Sequence, residues 1–299
     1  MSTTRGTFGE YLEPGLRKIF NAADKAIPRV AESVLVTGGS TKYQEHFITE
    51  GGFPTATEVD EGDSVTYADP VQGYKKTLTN YKYGLGFQVT EEMWDDDQYG
   101  RVKRFPRKLA RSLRHNVETV CANLFNNGFD STTCADGQYL FATGHTQLDG
   151  NTYQNKPTTD LDLSVSALEA ALINLQLIED DNSMIVPYTG KYLVVHPNDQ
   201  WTAKKILGSS QEWDSANNAI NPLKGELQLV VWPYLTDTDA WFVLSDKGDR
   251  DMGPLIFWRS HPDFKRDDDI DKRIAKFNSM QRYLVGAPEW RGCYGSSGG

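Results

Sequence analysis

The chain has 299 residues and a formal net charge of −10, long enough for two domains or for one domain with large excursions, and a compact form would bury roughly three quarters of its extended surface. The acidic balance argues against a dedicated nucleic-acid binder and favours a soluble protein, and no apolar run reaches the roughly 18 residues of a membrane span. Cys121, Cys134 and Cys293 lack the paired spacing of a zinc site and read as free thiols of a reducing compartment.

In chain order, residues 1–15 have no apolar core of a signal peptide, so a cytosolic product is expected. One modest helix, Pro14 to Ala26, lies between glycine clusters. Little in residues 1 to about 45 builds a core of its own, so this part reads as an arm that docks on something else, such as another copy of the chain. Gln44 to Thr49 and Lys76 to Val89 alternate like strands. Between them lie about 25 residues rich in Gly, Pro, Thr and acid, with few large apolar groups, and a loop of that length is functional or mobile. Its carboxylates are Glu50, Glu58, Asp60, Glu61, Asp63 and Asp69. The stretch reads as a long two-stranded excursion from the body.

The longest periodic segment follows. Val102, Phe105, Leu109, Leu113, Val117, Val120 and Leu124 recur every three or four residues, which places them on one helical stripe. Thr90 caps the start, with Glu91 and Glu92 in the first turn, while Asn127 and Gly128 mark the end, where glycine can take the left-handed conformation. Pro106 is tolerated only in a first turn, so a short helix over Glu91 to Tyr99 and a second from about Phe105 are expected. Seven buried apolar side chains offer roughly 10 to 20 kcal/mol gross, so the helix should form against a partner surface. Off the stripe lie Arg101, Lys103, Arg104, Arg107, Lys108, Arg111 and Arg114, either a solvated face or a surface for an acidic partner.

Beyond Gly128 the chain is polar and turn-rich to about residue 160. A helical pattern over Leu163 to Asp180, capped by Ser164, leads to a buried-looking strand at Tyr192 to His196, and Pro197 to Asp199 open a helix through Leu207. Residues 208–224 read as a loop. Glu226 to Leu235 and Ala240 to Ser245 read as a hairpin across Thr236 to Asp239, and closing strands are expected near Leu255 to Ser260 and Arg273 to Gly286. No period of 20 to 50 residues repeats.

The search for chemistry finds no active site. His46, His115, His145, His196 and His261 lack metal-binding spacing, and there is no phosphate loop, dinucleotide fingerprint or nucleophile elbow. Asp267, Asp268, Asp269 and Asp271 lack the spacing and glycine of a calcium loop and read as a solvated turn. Glu91, Glu92, Asp95, Asp96 and Asp97 have a sufficient electrostatic role at a helix start. No catalytic residue, cofactor or metal site is expected, and none of these patterns indicates an enzyme.

The order of elements carries a resemblance. VTEEMWDDD before the long helix, LFATGHTQLDGNTYQNKPTTDLDLSVSALEAALINLQ after it, KYLVVHPNDQWTAKKIL, ELQLVVWPYLTDTDAWFVLSD and FNSMQRYLVGAPEWRGCYG occur in one succession over residues 43–295. That succession resembles the major capsid proteins of tailed bacteriophages with the Hong Kong 97-type fold, and more narrowly the Mu-like major head subunits. Each motif alone is loose; order and spacing make the likeness. The resemblance implies an α+β fold with an N-terminal arm (1–42), an extended loop with flanking strands (43–88), a peripheral domain with a spine helix (89–160 and 255–299) and an axial domain (161–254).

It further implies a structural protein that assembles in the host bacterial cytoplasm, as hexamers and pentamers, into the icosahedral head shell of a virion. That shell would enclose double-stranded DNA held non-specifically, with no membrane partner. No scaffold-like segment or protease is fused in this chain, so separate scaffolding, portal and decoration proteins are the expected partners. A lysine–asparagine crosslink occurs in one branch; Lys75 and Lys76 lie near the excursion, but no matching asparagine or glutamate can be assigned. Opposite charge on the excursion and the spine helix makes these two segments candidate subunit interfaces. Three other readings compete: a tail-tube or decoration subunit, an enzyme using His145, His196 or His261, and a carbohydrate-binding module using Trp201, Trp213, Trp232 or Trp241.

Overall fold

The computed structural model describes residues 8–69, 72–97, 100–211, 220–250, 252–269 and 271–299. Its longest helix is α4 (Phe105–Asn126), preceded by α1 (Phe8–Ala26), α2 (Val30–Val34) and α3 (Glu91–Asp95). Pro106 sits in the first turn of α4, where its missing N–H costs nothing, and a short 3-10 turn, Val102–Arg104, leads in. Thr90 caps α3 by accepting from the Met93 amide. Helix α3 stops at Asp95 rather than near Tyr99, which lies outside the described residues. At 22 residues α4 runs about 33 Å.

Helix α4 serves two apolar clusters. Its first half contributes Leu109, Ala110 and Leu113, beside Val102, to a cluster with Leu16 and Phe20 of α1, and with Val89, Phe264 and Phe277 of a sheet. Its second half contributes Val117, Cys121, Leu124 and Phe125 to a larger cluster built on a second sheet. The stripe is therefore one continuous seam with two partners, and each half of the helix forms against a separate body of side chains.

The first sheet has the order β1-β10-β11-β4, from β1 (Val36–Gly39), β10 (Leu255–Asp269), β11 (Ile274–Gly286) and β4 (Tyr81–Thr90). The second has the order β12-β9-β7-β8, from β12 (Cys293–Ser296), β9 (Trp241–Ser245), β7 (Gly190–Val195) and β8 (Gln228–Val231). Helix α5 (Val165–Gln176) is capped by the Ser164 hydroxyl, which accepts from the Ala167 amide, and α6 (Gln200–Gly208) connects β7 towards β8. A separate hairpin pairs β2 (Gln44–Glu50) with β3 (Gln72–Thr79), and a minor one pairs β5 (His145–Thr146) with β6 (Thr152–Tyr153).

Five expectations need correction. Lys76 to Val89 is two strands: Asn80 interrupts it, donating to the Ser40 hydroxyl at 2.6 Å and the Lys42 carbonyl at 2.8 Å, so β3 and β4 enter different sheets. Segments 226–235 and 240–245 are not a hairpin, because β7 lies between β8 and β9, parallel to one and antiparallel to the other. The closing strand from Leu255 runs on to Asp269 through register shifts between Trp258 and Asp263, which absorb Pro262. Gly128 does not have positive φ; a Cβ there would come within 2.8 Å of the Phe141 ring, so close packing requires the glycine. Helix α1 docks on α4 of its own chain, so at least Leu16 and Phe20 of the arm find their core at home.

Candidate assembly surfaces

Two sets of arginines leave α4 for different environments. Arg114 is 3% exposed and pairs with Glu32 at 2.9 Å and Asp24 at 3.3 Å, while Arg29 closes the group by pairing with the same two carboxylates at 3.3 and 3.0 Å. One turn on, the buried Glu118 carboxylate accepts from the Ala31 amide and from the Trp232 indole, each at 3.0 Å. Burial pushes the Glu118 carboxyl above its ordinary range, against those two hydrogen bonds and the Arg114 charge, which act to lower it. Arg114 therefore does not belong to the basic face expected from the sequence. It fastens α1 and α2 to α4.

Arg101, Lys103, Arg104, Arg107, Lys108 and Arg111 are all exposed, and among the described residues none of them forms an ion pair. These six cations span residues 101–111 without a carboxylate between them.

The excursion is the counterpart. Residues 51–69 contain no strand and run beyond the β2–β3 pair, with Phe53 to Asp69 exposed throughout. Glu50, Glu58, Asp60, Glu61, Asp63 and Asp69 are exposed, again without an ion pair among the described residues. No lysine or arginine occurs between Glu50 and Asp69. The loop also carries Phe53, Val59, Val65 and Tyr67 exposed to solvent, apolar groups that the sequence reading undervalued. Its root is fixed: Asn182 donates to the Gly52 carbonyl at 2.6 Å, the Tyr74 amide donates to the Thr49 hydroxyl at 2.8 Å, and Lys76 donates to Thr133 at 2.7 Å. Among the described residues the single chain does not bring the acidic and basic sets together.

The histidines do not converge. His145 is fully buried between Asp136 at 2.6 Å and Asn155 at 3.2 Å, and it stacks on Trp290. His196 accepts from the Asn198 amide, and His261 stacks on Trp258. Trp232 and Trp241 are core residues and Trp201 is exposed, whereas Trp213 lies outside the described residues. The acidic cluster is not the expected turn: Asp267 to Asp269 close strand β10, paired with Lys276, Ala275 and Ile274 of β11, and Asp268 and Asp269 form ion pairs with Arg266 and Lys276. Burial raises all three cysteine thiols. Among the described residues no group of His, Cys, Asp and Glu is arranged to hold a metal ion, and no helix is long and apolar enough to cross a membrane.

Residues 74–296 match the phage capsid protein family. The chain belongs to that family. It is a structural protein of a phage head shell, located in the virion. Solved capsids share its fold. The subunit of the bacteriophage JBD30 capsid is 16% identical, with a TM-score of 0.60, covering 71% of this chain and 92% of that one. In the JBD30 capsid decorated with minor capsid protein trimers the values are 18% and 0.56 with the same coverage. The capsid of a native GTA particle is 12% identical, with a TM-score of 0.55 and 90% coverage of each chain. A comparison with curated proteins gives no match. The expected mixed helix-and-sheet capsid fold of the Hong Kong 97 type is borne out by these likenesses, and the family makes self-association into shells the working state of the capsid protein.

Proposed function

We propose that this capsid protein is the major subunit of a tailed-phage head, of the Mu-like branch, and that copies close into an icosahedral shell of hexamers and pentamers around double-stranded DNA. In this reading the shell is held by contacts in which residues 50–69 of one copy lie across Arg101, Lys103, Arg104, Arg107 and Arg111 of the next. One observation carries it: six exposed carboxylates on one segment and six exposed cations on another, both without an ion pair among the described residues. Contacts that differ on their two sides suit closed repetitive assembly.

Rim ion pairs contribute only about 0 to 1 kcal/mol each, so the charges set register and partner choice, while buried apolar and aromatic area supplies most of the affinity. The arm, extended loop, peripheral domain and axial domain take the bounds given above, with α4 as the strut between the last two. Separate scaffolding, portal and decoration proteins complete the head, and the role is structural rather than enzymatic. Acidic net charge suits a wall that must not trap packed DNA at every phosphate.

The test is the triple variant Arg104→Glu, Arg107→Glu, Arg111→Glu. Its monomer should keep the native circular dichroism and melting transition but form no shells by electron microscopy. Normal shells from this variant would reject the pairing.

A further inference from the structure

The face of the sheet β1-β10-β11-β4 turned away from α4 carries a row of cations. Tyr283 marks the α4 side: its hydroxyl donates to Asn116 at 2.7 Å, and its ring stacks on Tyr83 and lies against Trp258. Side chains alternate along a strand, so the residues next to these three, Arg282, Lys82 and Arg259, leave on the far face. Arg259 keeps step with Phe257 and Asp263, which pair with Leu284 and Met280 of that same face.

Register brings the three cations into line. Lys82 of β4 is the Cα partner of Arg282 of β11, and Arg282 in turn faces Ser260, the residue after Arg259, where β10 takes an extra residue. Bulges of this kind aim a side chain that regular pairing would place elsewhere.

The row is unanswered within the chain. Among the described residues the side chains of Lys82, Arg259 and Arg282 form no hydrogen bond and no ion pair. Like charges directly opposite on neighbouring strands destabilise a sheet. Arg259 and Arg282 are half-buried, and Nη1 of the first and Nε of the second are shut off from solvent without an acceptor. A buried donor left unpaired is costly, and more so when it is charged.

The carboxylates at hand are spent. Asp263, on the same face, pairs with Lys265 at 3.1 Å and accepts from the Met280 amide at 3.2 Å. Glu45, at the foot of the β2–β3 hairpin, accepts from the Ser40 hydroxyl at 2.7 Å and from the Thr41 and Lys42 amides at 3.2 Å each.

Three cations on three strands suit a multivalent anion better than a carboxylate. A dianionic phosphate offers several acceptor oxygens to donors from different sides, and a guanidinium meets it through two parallel bonds. A side-chain carboxylate brings one charge and two oxygens.

We propose that Lys82, Arg259 and Arg282 form a binding site for phosphate oxygens, carried by the free ion or by a nucleic-acid strand. The site uses none of the α4 cations and stands apart from the docking proposed above. Its ligand accepts from the unpaired guanidinium donors and offsets the repulsion between β4 and β11, so the subunit is firmer with the anion bound.

The test is thermal unfolding of the full-length subunit in inorganic phosphate, chloride, malonate or duplex DNA at matched ionic strength, because salt alone screens the repulsion. The native transition should rise saturably with phosphate and not with chloride. Arg282→Gln and, separately, Lys82→Gln should each raise the half-saturating phosphate concentration about tenfold or more. Lys82 is exposed, so Lys82→Gln keeps the fold, and in chloride it should melt no lower than the native chain, since it removes a repulsion. A rise with inorganic phosphate supports the site and makes the free ion its ligand; a rise with duplex DNA alone supports it and makes the ligand a nucleic-acid phosphate. No rise, the same rise in chloride, or an undiminished rise in both variants overturns the site. Malonate matching phosphate overturns the phosphate class and leaves the row to carboxylates.

Discussion

Arg107 and Arg114 stand two turns apart on α4 and point within about 20° of each other, yet one faces solvent and the other is buried against Asp24 and Glu32. What separates them is the segment that covers the second half of the helix. There α2 and the end of α1 bring two carboxylates to Arg114, and Glu118 and Ala31 complete the fastening. Over the first half α1 brings Leu16 and Phe20 to the apolar stripe, and among the described residues no carboxylate pairs with Arg107. The same residue type in the same direction therefore meets two environments: one charge holds α1 and α2 on α4, while the others stay exposed, as the docking proposed above requires.

That contrast breaks first at Arg114. Arg114→Ala removes the buried partner of Asp24 and Glu32 and leaves them only Arg29, and should cost about 3 kcal/mol in urea unfolding. A cost like that of an exposed site would remove the distinction. Glu118→Ala strands the Ala31 amide and the Trp232 indole and should cost about 2 to 3 kcal/mol in the same assay.

The pH dependence sharpens the point. Because the folded Glu118 carboxyl is raised, the folded state holds its proton more readily than the unfolded chain. The contribution of this group is largest below the ordinary carboxylate range and is lost as pH rises through the raised folded value. Glu118→Gln should flatten that limb relative to the native chain; identical pH slopes would contradict the burial argument. The exposed set is expected to respond weakly as a monomer, with Arg107→Ala changing unfolding stability by no more than about 0.5 kcal/mol. The smallest effect should come from salt, which should leave monomer stability unchanged while slowing shell formation as the ionic strength is raised from about 0.05 to 0.3 M, because exposed ion pairs are screened.

The spine helix was legible because its burial follows a single period, and the caps at Thr90 and Ser164 were legible because they act within three residues. The order of motifs carried the family. Features decided by distant partners were hidden. Nothing local in TLTNYKYGLG marks the break at Asn80, whose hydrogen bonds go to Ser40 and Lys42. Strands β8 and β9 look like hairpin neighbours until β7, buried except at Lys191, lies between them. Arg114 shares its direction with Arg107, so no periodicity could set it apart; only the docking of α2 does.

The most direct measurement is an electron cryomicroscopy reconstruction of the assembled shell in which residues 51–69 are traced. The account predicts that this segment crosses to a neighbouring subunit and lies within ion-pairing distance of its Arg104, Arg107 and Arg111. Density that keeps the segment on its own chain, or seats it on a surface away from α4 of the neighbour, would contradict it.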